Sequence, residues 1–275
     1  MNMLRGRAAR CWFVCAWIVF LLSARALAQD AYGLGTGTEG PYTATTLNDV
    51  VNRYAAVTGN SSGAVVPVNT TAGFAPGNLV MVWQVQGGPF SAGSSGAIDL
   101  ASANVGHYEL ARISSVGATS LTLDHALVHS YGPGAQVVRI PEFTTVNVPA
   151  GTRIVAPPWN GSVGGIVAFV ATGAVTVNGA IDVSGRGFRG GGRSNNYCHL
   201  ACNCGQDSGP LNDPTCNEAA RRGEGLDRMG FGTCGIGRLA NGAGGGGSHN
   251  AGGGGGGNGG AGSVGGNAWC SSAQT

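Results

Sequence analysis

Glycine is the residue that most limits what the last third of this 275-residue chain can fold into. More than half of the 52 glycines fall in residues 186–275, and residues 241–266 (NGAGGGGSHNAGGGGGGNGGAGSVGG) have almost no side chains. Glycine buries no side chain and loses the most backbone entropy on ordering, so this region cannot build an ordinary hydrophobic core. Any order there must come from cysteine crosslinks, from backbone hydrogen bonds between glycine segments, or from contact with the preceding residues. We therefore predict a largely irregular C-terminal segment.

The glycine run itself allows two interpretations. Glycine at every third position would suit packed extended helices, but proline normally stiffens such helices and no proline follows Pro214. A flexible linker is therefore favoured.

Residues 1–28 have the pattern of a secretion signal peptide. Arg5, Arg7 and Arg10 precede the apolar run CWFVCAWIVFLL, and Ala26-Leu27-Ala28 is a small-residue cleavage site. The apolar run is shorter than the roughly 20 residues that cross a bilayer, and no later stretch approaches that length. We expect cleavage near Ala28 and a secreted or outer-surface protein whose mature chain has no membrane span.

Six cysteines remain after the predicted signal peptide, all in the last third of the chain. An even number of cysteines in an exported protein predicts disulfides, whose pairing the sequence leaves open. The string CHLACNC, which contains His199, also allows a metal site, and free reactive thiols are a third alternative. The disulfide candidates are Cys198, Cys202, Cys204, Cys216, Cys234 and Cys270.

Removing the signal peptide reverses the sign of the net charge. The full chain has 15 arginines and no lysine against 13 acidic residues, and Arg5, Arg7, Arg10 and Arg25 leave with the signal peptide. The mature chain is therefore slightly acidic, which gives no support to nucleic-acid binding. Dinucleotide and phosphate-loop patterns are missing, so no cofactor is expected.

Residues 29–150 alternate short β-branched and aromatic runs with turn residues, which predicts a small β-rich domain. Residues 45–57 (TTLNDVVNRYAAV) are ambiguous, because their apolar residues fit one face of a helix but also fit an extended lead-in. The predicted strands cover residues 79–85, 107–116, 120–123 and 135–140.

Residues 151–185 contain three shorter predicted strands, at residues 166–170, 174–177 and 180–183. The last two are near copies, GAVTVN and GAIDVS. The intervening Asn178-Gly179 is a strong hairpin signal, but repeated short strands with inward Val and Ile also suit the rows of a parallel β-solenoid. The repeat, together with the resemblance described next, favours β-solenoid-like rows. The predicted fold is thus all-β, a small β domain leading into a β-solenoid-like stack, followed by the glycine- and cysteine-rich segment 186–275.

Five strings lie in a specific order within residues 45–192: FAPGNLVMVWQVQG, NVGHYELARISSVGATSLTLDHALVHSY, QVVRIPEFTTVNVPAG, APPWNGSVGGIVAF and GAIDVSGRGFRGGG. This order resembles a module of large secreted glycine-rich proteins of myxobacteria and other gliding bacteria, some of which carry adventurous-gliding-motility labels. The resemblance implies an exported, surface-associated, β-rich protein in which GFRGG opens a glycine-rich segment followed by further strands. The chain departs from the pattern at Asn78, where relatives tend to have Asp. It also ends inside the glycine-rich part, so we expect a longer natural protein.

Acidic and imidazole groups occur close together in the β-rich domain at Glu109, Asp124, His125 and His129. They could form an acid/base pair or a metal site, but their spacing fits no metal-ligand or catalytic-triad pattern. We expect Glu109 to pair with an arginine, Arg112 or Arg139, and the other three to lie on an exposed loop.

Asp99 with Glu109 could be the two carboxylates of a glycoside-cleaving site, but the sequence does not give their separation. No nucleophile-elbow motif is present. We therefore predict no catalytic residue, no metal site and no enzymatic activity, while a glycan-active enzyme stays open.

The string GRGFRGGGR places Arg186, Arg189 and Arg193 on glycine-rich backbone, where guanidinium groups could bind phosphate or an acidic glycan. The plainer interpretation is that Phe188 anchors the turn while the arginines face solvent or pair with Asp182.

Several other residues are predicted to be structural. Aromatic side chains are expected to anchor packing, and two glycines are expected to allow close backbone approach. The aromatic anchors are Trp83, Tyr108, Trp159 and Phe188, and the glycines are Gly164 and Gly165.

Together these features favour an exported structural or adhesive protein of the cell surface or matrix, connected with gliding motility as the resemblance implies. The alternative is a polysaccharide-binding or polysaccharide-cleaving β-solenoid protein. The expected partners are surface polysaccharide, other envelope or matrix proteins, or further copies of the chain.

Overall fold

All regular secondary structure in the described part of the chain is β-strand, which confirms the predicted all-β class there. The computed structural model describes Gly33 and residues 35–87, 104–190 and 223–226. Within these residues, no helix is long and apolar enough to cross a membrane. The strands are β1 (Tyr42–Thr43), β2 (Arg53–Ala56), β3 (Val65–Pro67), β4 (Leu79–Gln84), β5 (Tyr108–Val116), β6 (Ser120–Leu123), β7 (Ala135–Ile140), β8 (Glu142–Phe143), β9 (Val146–Val148), β10 (Arg153–Val155), β11 (Val170–Ala171), β12 (Val175–Val177) and β13 (Ala180–Asp182).

Strands β2 to β7 form a six-stranded antiparallel sheet in the order β2-β7-β4-β5-β6-β3. The sheet curls until its two edges meet, where Val57 and Val68 form an antiparallel bridge. We call this curled sheet the barrel. Meeting edges protect the unpaired strand groups that otherwise favour aggregation. Alternate residues point inward and form a core that includes Val80, Val82, Ile113, Leu121 and Val137, each no more than 2% exposed.

The four strands predicted in residues 79–140 all lie in the barrel. Strands β6 and β7 have the predicted bounds, and β4 and β5 each differ from them by one residue. Period-two alternation is a strong signal here, because one face of every strand is buried in the core.

Residues 45–57 contain no helix, and the extended lead-in is the correct alternative. The Asp49 carboxylate accepts hydrogen bonds from the Thr45 N–H (2.7 Å) and the Tyr42 hydroxyl (3.0 Å), which fixes a turn before β2. Burial and the Asp49 contact raise the pKa of Tyr42 to about 12, so this hydroxyl stays a donor. In β2, the Ala55 side chain packs in the barrel core.

The remaining strands stack in parallel rows. The first row is β1 with Asp49, the second is β8, β9 and β10, and the third is β11, β12 and β13. Register partners on the second and third rows are 27–29 residues apart in the sequence. The pairs are 142 with 170, 146 with 175 and 154 with 181. The barrel is inserted between the first and second rows. We call these three rows the parallel stack.

The second row supplies most of the core of the parallel stack. Val146, Val148 and Ile154 are at most 1% exposed and pack with Ala44 of the first row and with Phe143. The predicted domain boundaries at residues 28, 150 and 185 stay predictions.

Asn178-Gly179 does not form a hairpin. Strands β12 and β13 pair with the second row and not with each other, and the N–H groups of both turn residues donate to the Val148 carbonyl (2.8 Å each). A Cβ on Gly179 would collide with the carbonyl oxygens of Thr152 and Pro149. Glycine is therefore needed at this corner for close approach of two rows rather than for a left-handed turn.

Two buried amide side chains join the barrel to the parallel stack. The Asn52 side chain donates to the Ala168 carbonyl (2.5 Å) and accepts from the Ala168 N–H (3.1 Å), and it also donates to the Arg139 carbonyl. Gln136 makes the same two-way contact with Gly164 (3.2 and 3.0 Å). Residues 164–168 have no strand partner, so these amides supply hydrogen bonds that the buried Gly164 and the partly buried Ala168 peptide groups would otherwise lack.

We predict that Gly179→Ala lowers the free energy of unfolding by about 1–3 kcal/mol, because the added methyl group forces two rows apart. Gly187→Ala is the matched control, since a Cβ there meets nothing within 4 Å. Urea unfolding of both variants measures the difference. Equal stability of the two variants would contradict the row contact at Gly179.

We predict that Asn52→Ala lowers the free energy of unfolding by about 1–3 kcal/mol, because three partly buried backbone groups lose their hydrogen bond to the buried Asn52 side chain. Asn147→Ala changes an exposed asparagine of β9 and is expected to shift it by less than about 0.5 kcal/mol. Thermal and urea unfolding measure both. A loss at Asn52 no larger than at Asn147 would show that the amide contact does not stabilise the joint.

Candidate functional site

Glu109 lies at one end of the barrel interior, on the same side of β5 as Ala111 and Ile113 of the core. Its carboxylate accepts hydrogen bonds from the backbone N–H groups of Val128 and His129 (2.8 Å each). The carboxylate thus fastens the loop that follows β6 to the start of β5.

The pKa values of this cluster favour an ionised, structural carboxylate. Burial raises the pKa of Glu109, but the two N–H donors, the Tyr131 hydroxyl and the nearby His129 together lower it below the usual value. Burial and the Glu109 charge raise the pKa of Tyr131. A carboxylate held by donors in this way is poorly suited to general-acid catalysis, which needs a raised pKa.

The arginines expected to pair with Glu109 have other acidic partners. Arg112 binds Glu142 through two nitrogens (2.7 Å each), and Arg139 binds Glu39 (2.6 Å). The Glu142 side chain is only 4% exposed. Both arginines therefore connect the barrel to the chain around the first and second rows.

The remaining acid and imidazole candidates do not assemble into a catalytic group with Glu109. Asp124 and His125 are both exposed, and their side chains contact each other (2.8 Å). The Asp124 carboxylate also accepts a hydrogen bond from the backbone N–H of Arg112. His129 stacks on His107 with ring centroids 4.1 Å apart. Among the described residues, no three His, Cys, Asp or Glu side chains lie together as a metal site. Asp99 lies outside the described residues.

A pair of aromatic side chains lies on the outer face of the barrel. Trp83 of β4 and Tyr108 of β5 are register partners, and Met81 and Leu110 are the next pair on that face. Tyr108, which the sequence suggested as a packing anchor, is instead 62% exposed, and the other three are partly buried. We call these four residues the aromatic face.

The aromatic face follows from strand alternation and from what covers the neighbouring strands. Val82 points into the core, so Trp83 must point outward. Residues 164–168 cross the outer face over β2 and β7, where Tyr54 donates to the Ile166 carbonyl and Gln136 binds Gly164. No described segment covers the β4–β5 half in this way.

Arg189 of the GRGFRGGGR segment forms an ion pair with Glu224. Arg189 binds the buried Glu224 carboxylate through its guanidinium (2.6 Å) and its backbone N–H (2.7 Å). Burial raises the pKa of Glu224, but these Arg189 contacts lower it overall. Asp182 forms its ion pair with Arg153 (3.1 Å), and neither Arg186 nor Arg189, the described arginines of GRGFRGGGR, forms an ion pair with it. A free anion site at Arg189 is therefore not favoured.

Two of the predicted aromatic anchors and both of the predicted close-approach glycines pack closely near this ion pair. Trp159 is 4% exposed and meets the Phe188 ring edge to face, with centroids 5.8 Å apart. A Cβ on Gly164 would lie 2.7 Å from the Pro158 carbonyl oxygen, and one on Gly165 would lie 3.0 Å from that of Arg186. Arg193 and the six candidate disulfide cysteines lie outside the described residues, so their roles stay predictions.

No protein-family model and no curated protein matches the chain. Three phage tailspikes are similar in structure. They are Gp54 of Acinetobacter baumannii bacteriophage AP22, solved with an A. baumannii capsular saccharide (TM-score 0.26, 11% identity, 51% of this chain and 23% of that chain), gp61 of Pseudomonas phage phi297 (0.25, 14%, 42% and 23%) and gp49 of Pseudomonas phage LKA1 (0.23, 10%, 43% and 27%). The chain thus spans about a quarter of each tailspike. At these TM-scores, what the tailspikes bind does not transfer to this chain.

We predict that the protein loses stability in acid partly through Glu109. Because the folded-state pKa is below the unfolded value of about 4.3, the stabilisation is complete above that value and disappears as the pH falls through the lower folded-state pKa. Glu109→Gln is expected to lower the free energy of unfolding by about 1–3 kcal/mol at neutral pH and to flatten its fall in acid.

The measurement is urea unfolding at a series of pH values. Ser130→Ala, at an exposed position of the same loop, is expected to keep the parent pH profile. An unchanged pH profile in Glu109→Gln would show that the carboxylate does not fasten the loop.

Proposed function

We propose that this protein is an exported cell-surface protein that binds neutral polysaccharide through the aromatic face of its barrel. The observation that carries the proposal is the exposure of Tyr108 beside Trp83 on adjacent strands of a rigid sheet. The predicted signal peptide supports export, and the resemblance to surface proteins of gliding bacteria supports a place at the cell surface. In this proposal the parallel stack is a β-solenoid-like scaffold that presents the barrel.

Exposed neighbouring aromatic rings are well suited to sugars. The C–H faces of a sugar ring are apolar and pack against an aromatic ring, while the Tyr hydroxyl and the Trp N–H can bond to sugar hydroxyls. Side chains directly opposite on paired strands have Cβ atoms about 4.5–5.5 Å apart, so Trp83 and Tyr108 can contact the same sugar or adjacent sugars of one chain. Their backbone is fixed by pairing on both sides of β4, so little ordering is needed on binding.

The chemistry of the face favours a neutral ligand and binding without cleavage. Its four side chains, Met81, Trp83, Tyr108 and Leu110, carry no charge. The nearest acidic residue on β5, Glu109, points to the other side of the strand and is occupied by the loop amides. Cleavage of a glycosidic bond needs two carboxylates at the sugar, which this face does not provide among the described residues.

We predict that Tyr108→Ala weakens polysaccharide binding about tenfold, equivalent to about 1.4 kcal/mol, and that Trp83→Ala weakens it at least as much. Tyr108→Phe keeps the ring and is expected to retain most of the binding. Val128→Ala, at another exposed apolar position, is the matched control. Affinity electrophoresis of the secreted chain through gels containing neutral glucans, mannans or acidic alginate measures retardation, and thermal unfolding checks the fold of each variant.

The same gels can overturn the proposal. Retardation that is unchanged in both Tyr108→Ala and Trp83→Ala would place binding elsewhere, and no retardation by any polymer would exclude polysaccharide binding by this face. Retardation by alginate alone would contradict a neutral ligand. Release of reducing sugar ends during incubation would replace binding by cleavage.

A further inference from the structure

Two Asn-Gly pairs lie within the described residues, and their glycine N–H groups differ in hydrogen bonding. Both asparagines, Asn160 and Asn178, are exposed. The Gly179 N–H, which follows Asn178, donates to the Val148 carbonyl (2.8 Å). The Gly161 N–H, which follows Asn160, has no acceptor within the described part of the chain. Water therefore reaches both side chains, but only one of the two glycine nitrogens is held in a hydrogen bond.

The turn that begins at Asn160 directs two donors at its side-chain carbonyl. The N–H groups of Ser162 and Val163 both donate to Asn160 Oδ1 (2.9 and 3.0 Å), and the Asn160 N–H donates to the Val163 carbonyl (3.1 Å). Gly161 has a φ of 97°, in the left-handed region that glycine adopts without strain. Two N–H groups on one carbonyl oxygen form the arrangement that stabilises an oxyanion in acyl transfer.

We propose that Asn160-Gly161 is a site of spontaneous deamidation and that its own turn promotes the reaction. The Gly161 nitrogen loses its proton and attacks Asn160 Cγ, the negative charge develops on Oδ1 between the two donors, and Nδ2 leaves as ammonia. Water then opens the succinimide. Cleavage of the new Cγ–N bond gives aspartate, and cleavage of the bond from the main-chain carbonyl carbon to the same nitrogen gives isoaspartate. Neither step changes an oxidation state, and water is the only co-reactant.

Both ends of the turn are fixed, so the two donors are in place before the reaction. Trp159, which precedes the turn, is buried, and its N–H donates to the Arg186 carbonyl (2.8 Å). Gly164, which follows the turn, makes the two-way contact with the buried Gln136 side chain. Fixed donors lower the barrier because nothing has to be ordered as the charge develops.

Asn178 is protected by the contact between the second and third rows. Before its nitrogen can attack, Gly179 must give up the hydrogen bond to the Val148 carbonyl. Gly179 is also packed against the carbonyl oxygens of Thr152 and Pro149, which hold it to the second row. Attack therefore requires local opening of the third row, and the free energy of that opening adds to the barrier.

Deamidation of Asn160 changes the charge of a turn that packs against an ion pair. The atoms closest to the position of a Cβ on Gly161 belong to the Arg189 guanidinium, and the Glu224 carboxylate is next. The reaction replaces a neutral amide by a carboxylate at this turn. The exported protein would thus acquire a negative charge beside the Arg189–Glu224 pair without any enzyme.

Mass spectrometry of the aged secreted chain tests the site. The chain is incubated at neutral pH, either folded or in concentrated urea, and then digested with trypsin. Both asparagines lie on one tryptic peptide, residues 154–186, because no other Arg or Lys lies between Arg153 and Arg186. In the folded chain we expect Asn160 to convert about tenfold faster than in urea, because the two donors are in place. We expect Asn178 to convert about 100-fold more slowly than in urea.

A pair of variants at Ser162 tests the donors themselves. Ser162→Pro removes one N–H and is expected to slow the conversion of Asn160 about tenfold. Ser162→Ala keeps the N–H and is the matched control, which is expected to retain the parent rate. Thermal unfolding checks the fold of both variants, and the comparison of the folded parent with the urea-unfolded parent needs no variant.

Three results would overturn the proposal. Conversion of Asn160 that is no faster in the folded chain than in urea would show that the turn does not promote the reaction. Equal rates for Asn160 and Asn178 in the folded chain would show that the hydrogen bonding of the glycine N–H does not select the site. Equal rates in folded Ser162→Pro and Ser162→Ala would show that the donors do not stabilise the oxyanion.

Discussion

Buried amide side chains connect the two parts of this fold by taking the place of absent strand partners. Residues 164–168 cross the barrel without pairing to a strand, so their peptide groups need donors and acceptors from elsewhere. A carboxamide has the same donor and acceptor as a peptide group, and Asn52 and Gln136 each use both on a single residue, Ala168 and Gly164. Two side chains thus hold a segment that the sheet alone cannot hold.

That connection decides which surface of the barrel remains open. The segment attached by the amides lies over β2 and β7, and the bidentate pair of Arg112 with Glu142 covers the end of the outer face nearest the second row. The opposite end of β4 and β5 is left with Trp83 and Tyr108. The proposed binding surface is therefore the part of the sheet that the joint does not cover.

The barrel can be inserted into the stack because its entry and exit are neighbours. The first residue of β2, Arg53, is the register partner of Arg139 near the end of β7, so the chain leaves the first row and returns to the second at almost the same point. Rows on either side of the insertion can then pair as if they were continuous, and β1 does pair with β9. The repeat of the stack is interrupted in sequence but not in space.

The sequence by itself determined the class of structure and most strands of the barrel. Alternation of apolar residues is a local pattern, and β6 and β7 follow it residue for residue because one face of each strand is buried. The sequence also marked Trp83 and Tyr108 as important aromatic residues, although for packing rather than exposure. It gave no sign that Asn52 serves as a strand substitute, because any exposed loop asparagine has the same local pattern.

Only the tertiary structure decided what those elements contact. Asn178-Gly179 is locally a hairpin signal, yet the strands around it pair with partners nearly 30 residues away. Pairing with the second row replaces the antiparallel pairing that a hairpin would require. Glu109 takes backbone donors from a loop about 20 residues later in place of an arginine, and Tyr108 stays exposed because a segment more than 50 residues downstream covers only half of the sheet. Each outcome depends on contacts between distant parts of the chain, which a local pattern does not specify.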